Sequence, residues 1–211
     1  MTAVALVGAD GAGKTTLARL LVERFPRPVK YLYMGMNAES SNVALPLTKL
    51  VHRLKVRQVR QEHAQRGEAV DEPVSLHGIE HRRDIRGRWW AAARLVNRVA
   101  EETMRQIISW WHQARGYVVV YDRHFRFDYW ADDQRGRRLS ERVHSWFLEH
   151  VYPTPHMTIF LDAPAETLYA RKQEVPVEYL EAKRAAFVAQ GEGIANFRIV
   201  DATRDLSLIH I

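Results

Sequence analysis

The chain has 211 residues, 46% hydrophobic and 27% charged, which gives one globular domain with an insertion and a full apolar core. It has no cysteine, so disulfides, thiolate metal sites and cysteine nucleophiles are excluded. The net charge of +6 favours anionic partners. No apolar run approaches the roughly 18 residues of a membrane span, and the N-terminus lacks the basic start and long apolar stretch of a signal peptide. These features fit a cytoplasmic protein.

Short apolar runs alternate with longer helical patterns. The runs at Ala3–Val7, Lys30–Met34, Tyr117–Tyr121, Met157–Leu161 and Arg198–Val200 are apolar on both faces, as buried parallel strands are. The first helix is expected over Lys14–Phe25, stopped by Pro26 and Pro28. Others are expected over Val43–Arg66, Arg88–Ala114, Ser140–His150, Pro164–Lys172 and Pro176–Ala189, with Gly67, Gly116, Pro153 and Gly191 as stops. Strands separated by helices predict right-handed βαβ units and a three-layer α/β domain over 1–205 with a five-stranded parallel sheet; the motif Gly8-Ala9-Asp10-Gly11-Ala12-Gly13-Lys14-Thr15 within it makes this a P-loop NTPase fold. A helical insertion falls at about 37–88. The last six residues, 206–211, resemble the translation of a transposon end and are set aside as non-native.

The insertion is strongly basic. Between Val43 and Arg98, twelve Lys and Arg residues face six Asp and Glu, an excess equal to that of the whole chain. A solvated helix face and an anion-attracting surface both fit this pattern. Leu47, Leu50, Val51 and Leu54 make one side of its helix apolar, for packing, for a cover over the acceptor, or for a homodimer surface. Trp89-Trp90 and Trp110-Trp111 are expected in the core or at such an interface, and Trp89 is a candidate for stacking on a base. His52, His63, His77 and His81 lack zinc-ligand spacing, so no structural metal is expected.

The sharpest signal is Gly8-Ala9-Asp10-Gly11-Ala12-Gly13-Lys14-Thr15, which fits G-x-x-x-x-G-K-[ST] at every fixed position. A strand runs in and a helix, beginning Thr15-Thr16, runs out. The glycines let backbone N–H groups turn toward one anion, and the helix N-terminus adds its dipole. Lys14 is suited to the β- and γ-phosphates of ATP, and the Thr15 hydroxyl to Mg2+. A second signal ends the third strand at Asp122-Arg123-His124. A carboxylate there can hold magnesium or its waters, or orient or deprotonate an acceptor oxygen. Arg123 offers a planar fork to a phosphate. The plainer use of the pair is a helix cap and a surface arginine.

These two motifs, with Leu161-Asp162-Ala163-Pro164 and Asp201-Ala202-Thr203-Arg204, stand in the order and spacing of the thymidylate kinases, and nearly the whole chain resembles that family of nucleoside-monophosphate kinases. The resemblance implies ATP as donor, Mg2+, and a small nucleotide or nucleoside acceptor. It places Asp10 near the reacting phosphates, Asp122 near magnesium and the acceptor, and Arg123 on the acceptor's phosphate. It implies a lid at about 171–177 whose Arg171 and Lys172 close over the phosphates, and an adenine loop at Ala202-Thr203-Arg204.

Two departures fall on the acceptor side. Tyr33-Met34-Gly35-Met36-Asn37 stands where those kinases carry Arg-Glu-Pro-Gly. Where they place a thymine-reading arginine, this chain has Glu101-Glu102, with Arg98 and Arg105 a turn to either side. Glu101 as an acceptor-binding group would suit amino or hydroxyl donors; the plainer expectation is an exposed helix face. Both departures also suit a kinase for an unphosphorylated nucleoside, sugar or other metabolite. A nucleotide-gated nucleic-acid module is the least favoured reading, because no aromatics interleave with the arginines.

Overall fold

The computed structural model describes residues 2–35, 88–127 and 139–203. The basic helix expected over Val43–Arg66, Trp89-Trp90 as side chains, Arg204 and the terminal tail lie outside the described residues. The chain divides into two compact units, Met1–Val43 with Glu102–Ile211 and Ala44–Glu101. The sheet belongs to the first.

Ten elements are described in the order β1 (Thr2–Val7), α1 (Lys14–Arg24), β2 (Val29–Tyr33), α2 (Arg88–Ala114), β3 (Val118–Asp122), α3 (Leu139–His150), β4 (Met157–Asp162), α4 (Ala165–Arg171), α5 (Val177–Gly191) and β5 (Phe197–Asp201). The five strands form one parallel sheet in the order β2-β3-β1-β4-β5. Within the described residues the expected strands and helices fall within two residues of these ends, because their signals are local: Val-rich runs for strands, glycine and proline for stops. Among the described residues no helix is long and apolar enough to cross a membrane.

Alternate strand residues feed two cores, one on each face. Ala3, Ala5, Leu32, Val119, Tyr121 and Phe160 pack on one side; Leu6, Val120, Ile159 and Leu161 pack on the other with Leu17 and Ala18 of α1. Phe187 of α5 is fully buried, its ring 5.5 Å from Phe160 and 6.2 Å from Phe127 between centroids. This contact seats α5 against the sheet. Phe187→Ala is therefore expected to cost about 3–5 kcal/mol of unfolding free energy, measured by denaturant titration.

Helix α2 inverts the usual pattern. Its buried residues in the first unit are mostly polar: Glu102, Arg105, Gln106, Ser109 and Gln113. Their spacing of three to four residues is one helical stripe. Ile107, Trp110 and Trp111 are exposed instead. Of the two places expected for Trp110-Trp111, core or interface, this corrects the first: the polar stripe takes the inward face. Ser109 Oγ and Tyr121 Oη lie 2.6 Å apart, and Gln113 Nε2 donates to Ser109 Oγ at 2.9 Å, so part of the stripe satisfies itself against β3. Trp111 is capped by the Arg115 guanidinium 3.7 Å from its ring centre.

Candidate active site

The carboxyl ends of β1, β3 and β4 lie side by side, as the register requires: Leu6 pairs with Asp122 and Val7 with Phe160. Ligands of open parallel sheets bind at such ends. The loop from Gly8 to Gly13 leaves β1 and enters α1. Gly11 and Gly13 have φ of 89° and 85°, conformations that L side chains rarely adopt. A Cβ on Gly11 would also meet the Leu168 carbonyl at 2.7 Å. The loop thus runs so close to α4 that only glycine fits. No side chain caps the N-terminus of α1 and no acidic residue stands in its first turn, so the amides at Lys14, Thr15 and Thr16 open a helix dipole toward an anion.

Lys14 is buried and its ammonium donates to the Gly8 carbonyl at 2.9 Å and the Ala9 carbonyl at 2.8 Å. The charge is folded onto the loop that it would share with a phosphate.

Thr15 and Asp122, 107 residues apart, meet directly. Thr15 Oγ1 donates to Asp122 Oδ2 at 2.6 Å. Tyr31 Oη donates to the same oxygen at 2.9 Å. Burial, together with the Asp122 carboxylate, pushes the Tyr31 phenol pKa up, so it stays a donor. Asp122 is 2% exposed, yet its Oδ1 is buried with no hydrogen-bond partner. A buried carboxylate oxygen without a donor is costly. A cation or its water at Oδ1, beside the Thr15 hydroxyl, would satisfy it. The oxygen donors and the charge suit Mg2+, so the residues present fit that ion.

Arg123 follows with φ of 70°, unusual for a side-chain-bearing residue. Its amide donates to the Leu6 carbonyl at 3.0 Å, which ties the turn to β1. Its guanidinium forms an ion pair with Asp10. Lys183 Nζ of α5 lies 3.6 Å from the other Asp10 oxygen. Burial would raise the Asp10 pKa, but Arg123, Lys14 and Lys183 outweigh it and hold the carboxyl well below its usual range.

His124, next in the chain, is fully buried beside Tyr121, Phe127 and Tyr152. Burial, aided by Arg126, pushes its pKa down to about 4; the Pro153 carbonyl opposes this, though neither ring nitrogen makes a well-formed hydrogen bond. The folded value lies below the ordinary 6.5, so the unfolded chain binds the proton more tightly. His124 should therefore leave stability untouched above pH 6.5 and remove about 3 kcal/mol as pH falls from 6.5 to 4. Denaturant titrations across that range should show this loss in the parent and not in His124→Phe.

Asp162, at the end of β4, takes a two-pronged hydrogen bond from Arg184 of α5, at 2.7 and 3.0 Å. Its carbonyl accepts from Ala202 N at 2.7 Å. Arg171 Nη1 donates to the Ala202 carbonyl at 2.9 Å. Lys172 pairs with Glu174 at 2.9 Å on an exposed segment. Thr203, through its amide and its hydroxyl, donates to Asp201 Oδ1 and shapes the turn after β5.

Sequence reasoning thus named Gly8 to Thr16, Asp122 and Arg123, and these come together. Arg171 stands instead against Ala202. Glu101, in the other unit, is buried, which corrects the exposed-face expectation. So is Glu102, whose two oxygens each lie 2.9 Å from His144 Nε2 of α3. Arg105 is also buried and donates to the Gly35 carbonyl at 2.9 Å. Tyr31, Lys183, Arg184 and His144 were missed. Lys183 left a signal: Leu180, Lys183, Phe187 and Gly191 form the buried stripe of α5, so a lysine falls where an apolar residue belongs.

No protein-family model matches the chain, and no curated protein matches it in sequence. Solved structures do match, 219 chains in all. Among them is the structure of deoxyadenosine kinase from M. mycoides with products dCMP and a flexible dCDP bound. It is 15% identical, with a TM-score of 0.50, over 98% of this chain and 93% of that one. The chain has the fold of that P-loop kinase. At this identity the likeness concerns the fold alone.

Proposed function

We propose that the protein is an ATP- and Mg2+-dependent phosphotransferase acting on a nucleoside monophosphate or a similar small phosphate acceptor. The observation that carries the reading is Asp122. A buried carboxylate with one oxygen on the P-loop threonine and the other without a donor fits a metal-phosphate site. Magnesium, when bound, would draw charge from the β- and γ-phosphates.

The chain's own residues do the rest by position and charge. Loop amides and Lys14 hold the triphosphate, and Thr15 and Asp122 hold the ion's place. Asp122 also orients an acceptor oxygen in this reading. That oxygen bonds to the γ-phosphorus, the bond from phosphorus to the β–γ bridging oxygen breaks, and ADP leaves with the electron pair. Arg123 releases Asp10 to clamp the acceptor's phosphate. Arg171 adds charge from the lid once it lets go of Ala202, and Ala202 and Thr203 border the adenine.

A second reading, an unphosphorylated nucleoside as acceptor, is favoured by the fold's likeness to a deoxyadenosine kinase and by Gly35 in place of Arg-Glu-Pro-Gly after β2. The excess of cations around Asp10 supports the monophosphate instead. A panel of nucleosides and their monophosphates with ATP and Mg2+, read by product chromatography, separates the two. Nucleoside diphosphates are the expected products. Monophosphates alone would transfer the assignment to the nucleoside reading, and free phosphate alone would refute both.

A further inference from the structure

We propose that Lys183 of α5 is a phosphate-binding residue of this reaction, facing the transferred or acceptor phosphate from outside the P-loop and the lid. The inference rests on the phosphotransfer reading above and adds a residue that neither of its motifs contains.

Lys183 is 6% exposed on a helix held to the sheet by Phe187. Burying an ammonium on a helix's apolar stripe is costly without an anionic partner. Beside the Tyr179 ring, 5.6 Å from the ammonium, the anionic partner present is Asp10, and it is a weak one: the closest approach, 3.6 Å, is beyond a good hydrogen bond, and Arg123 already occupies the other carboxylate oxygen. Three cations, Lys14, Arg123 and Lys183, act on this one carboxylate. That surplus matches an incoming phosphate, for which Asp10 is the stand-in while the site is at rest.

The basic residues on the lid are differently engaged. Arg171 holds the Ala202 carbonyl, and Lys172 pairs with exposed Glu174. Lys183 is fixed within the fold instead, so its charge is in place without a closing motion, as preorganised stabilisation requires. The neighbouring Arg184 fixes the register by its two-pronged bond to Asp162, so α5 presents one cation to the phosphate site and one to the β4 end.

The test compares K183M, K183R, K183Q and the double variant D10N/K183M with the parent, using ATP, Mg2+ and the acceptor the panel selects. K183M should lower kcat about ten- to a hundredfold with little change in the KM for ATP. K183R should recover most of that loss. D10N/K183M should be no faster than K183M, because the missing contact is to phosphate and not to Asp10. If K183M does not fold, judged by circular dichroism, K183Q carries the comparison. Parental kcat in K183M, or its recovery in D10N/K183M, overturns the inference and leaves Lys183 as a neutraliser of Asp10. Those results would leave the phosphotransfer reading standing. Absence of transfer by the parent protein itself would remove both.

Discussion

Asp122→Asn is expected to cut turnover by about 10²–10³-fold while the protein stays folded. The replacement keeps the shape and leaves an amide oxygen that Thr15 Oγ1 and Tyr31 Oη can still reach, as both now donate to Oδ2. It removes the negative charge that would face the metal and puts an NH2 group where Oδ1 now lacks a donor. Magnesium titration of the variant should therefore show a much higher requirement or none that saturates. Parental turnover at the parental magnesium concentration would mean that Asp122 is only a structural acceptor for two hydroxyls.

Lys14→Ala should have the larger effect, about 10³-fold or more on turnover, since charge spreading onto the transferred group loses its nearest fixed cation. That ammonium donates to the Gly8 and Ala9 carbonyls, so the variant also leaves two acceptors to be met by water. Each such bond contributes about 1 kcal/mol. The melting temperature should fall by only a few degrees, because the Leu17 and Ala18 contacts of α1 are untouched. The two measurements together separate a lost function from a lost fold. A variant that melts like the parent and also turns over like it would remove the phosphate site.

The candidate site was legible where its chemistry is local. Strand, glycine loop and helix N-terminus are contiguous, so backbone direction, φ freedom and dipole can all be read from Ala3 to Leu17. Asp122 was legible because an acid at a strand end points to the carboxyl edge of a parallel sheet. What sequence could not supply were partners brought in by the fold. Tyr31 reaches Asp122 from the edge strand, 91 residues away. Arg184 reaches Asp162 from a helix that also had to be rotated correctly. Lys183 did leave a local signal, a lysine beside Leu180 and Phe187 on one buried stripe, but its partner Asp10 is again brought in by the fold.

Helix α2 shows the opposite failure. The plainer expectation puts Glu101-Glu102 on an exposed face, whereas the inward stripe is Glu102, Arg105, Gln106, Ser109 and Gln113. Glu102 pays for its burial through His144, and Arg105 through the Gly35 carbonyl and the Phe125 ring, 5.3 Å away. Neither partner can be inferred from helical period alone. A stripe of this kind beside the end of β2 is where acceptor selectivity should be sought by substitution.

The most direct test of the central claim is a crystal of the protein with a non-hydrolysable ATP analogue and Mn2+ in place of magnesium, with the metal located by its anomalous scattering. The account predicts one strong peak between Thr15 Oγ1 and the Oδ1 side of Asp122, with the analogue's phosphates on the Gly8–Thr15 amides. Metal or nucleotide bound elsewhere, with Thr15 and Asp122 still bonded to each other, would contradict it.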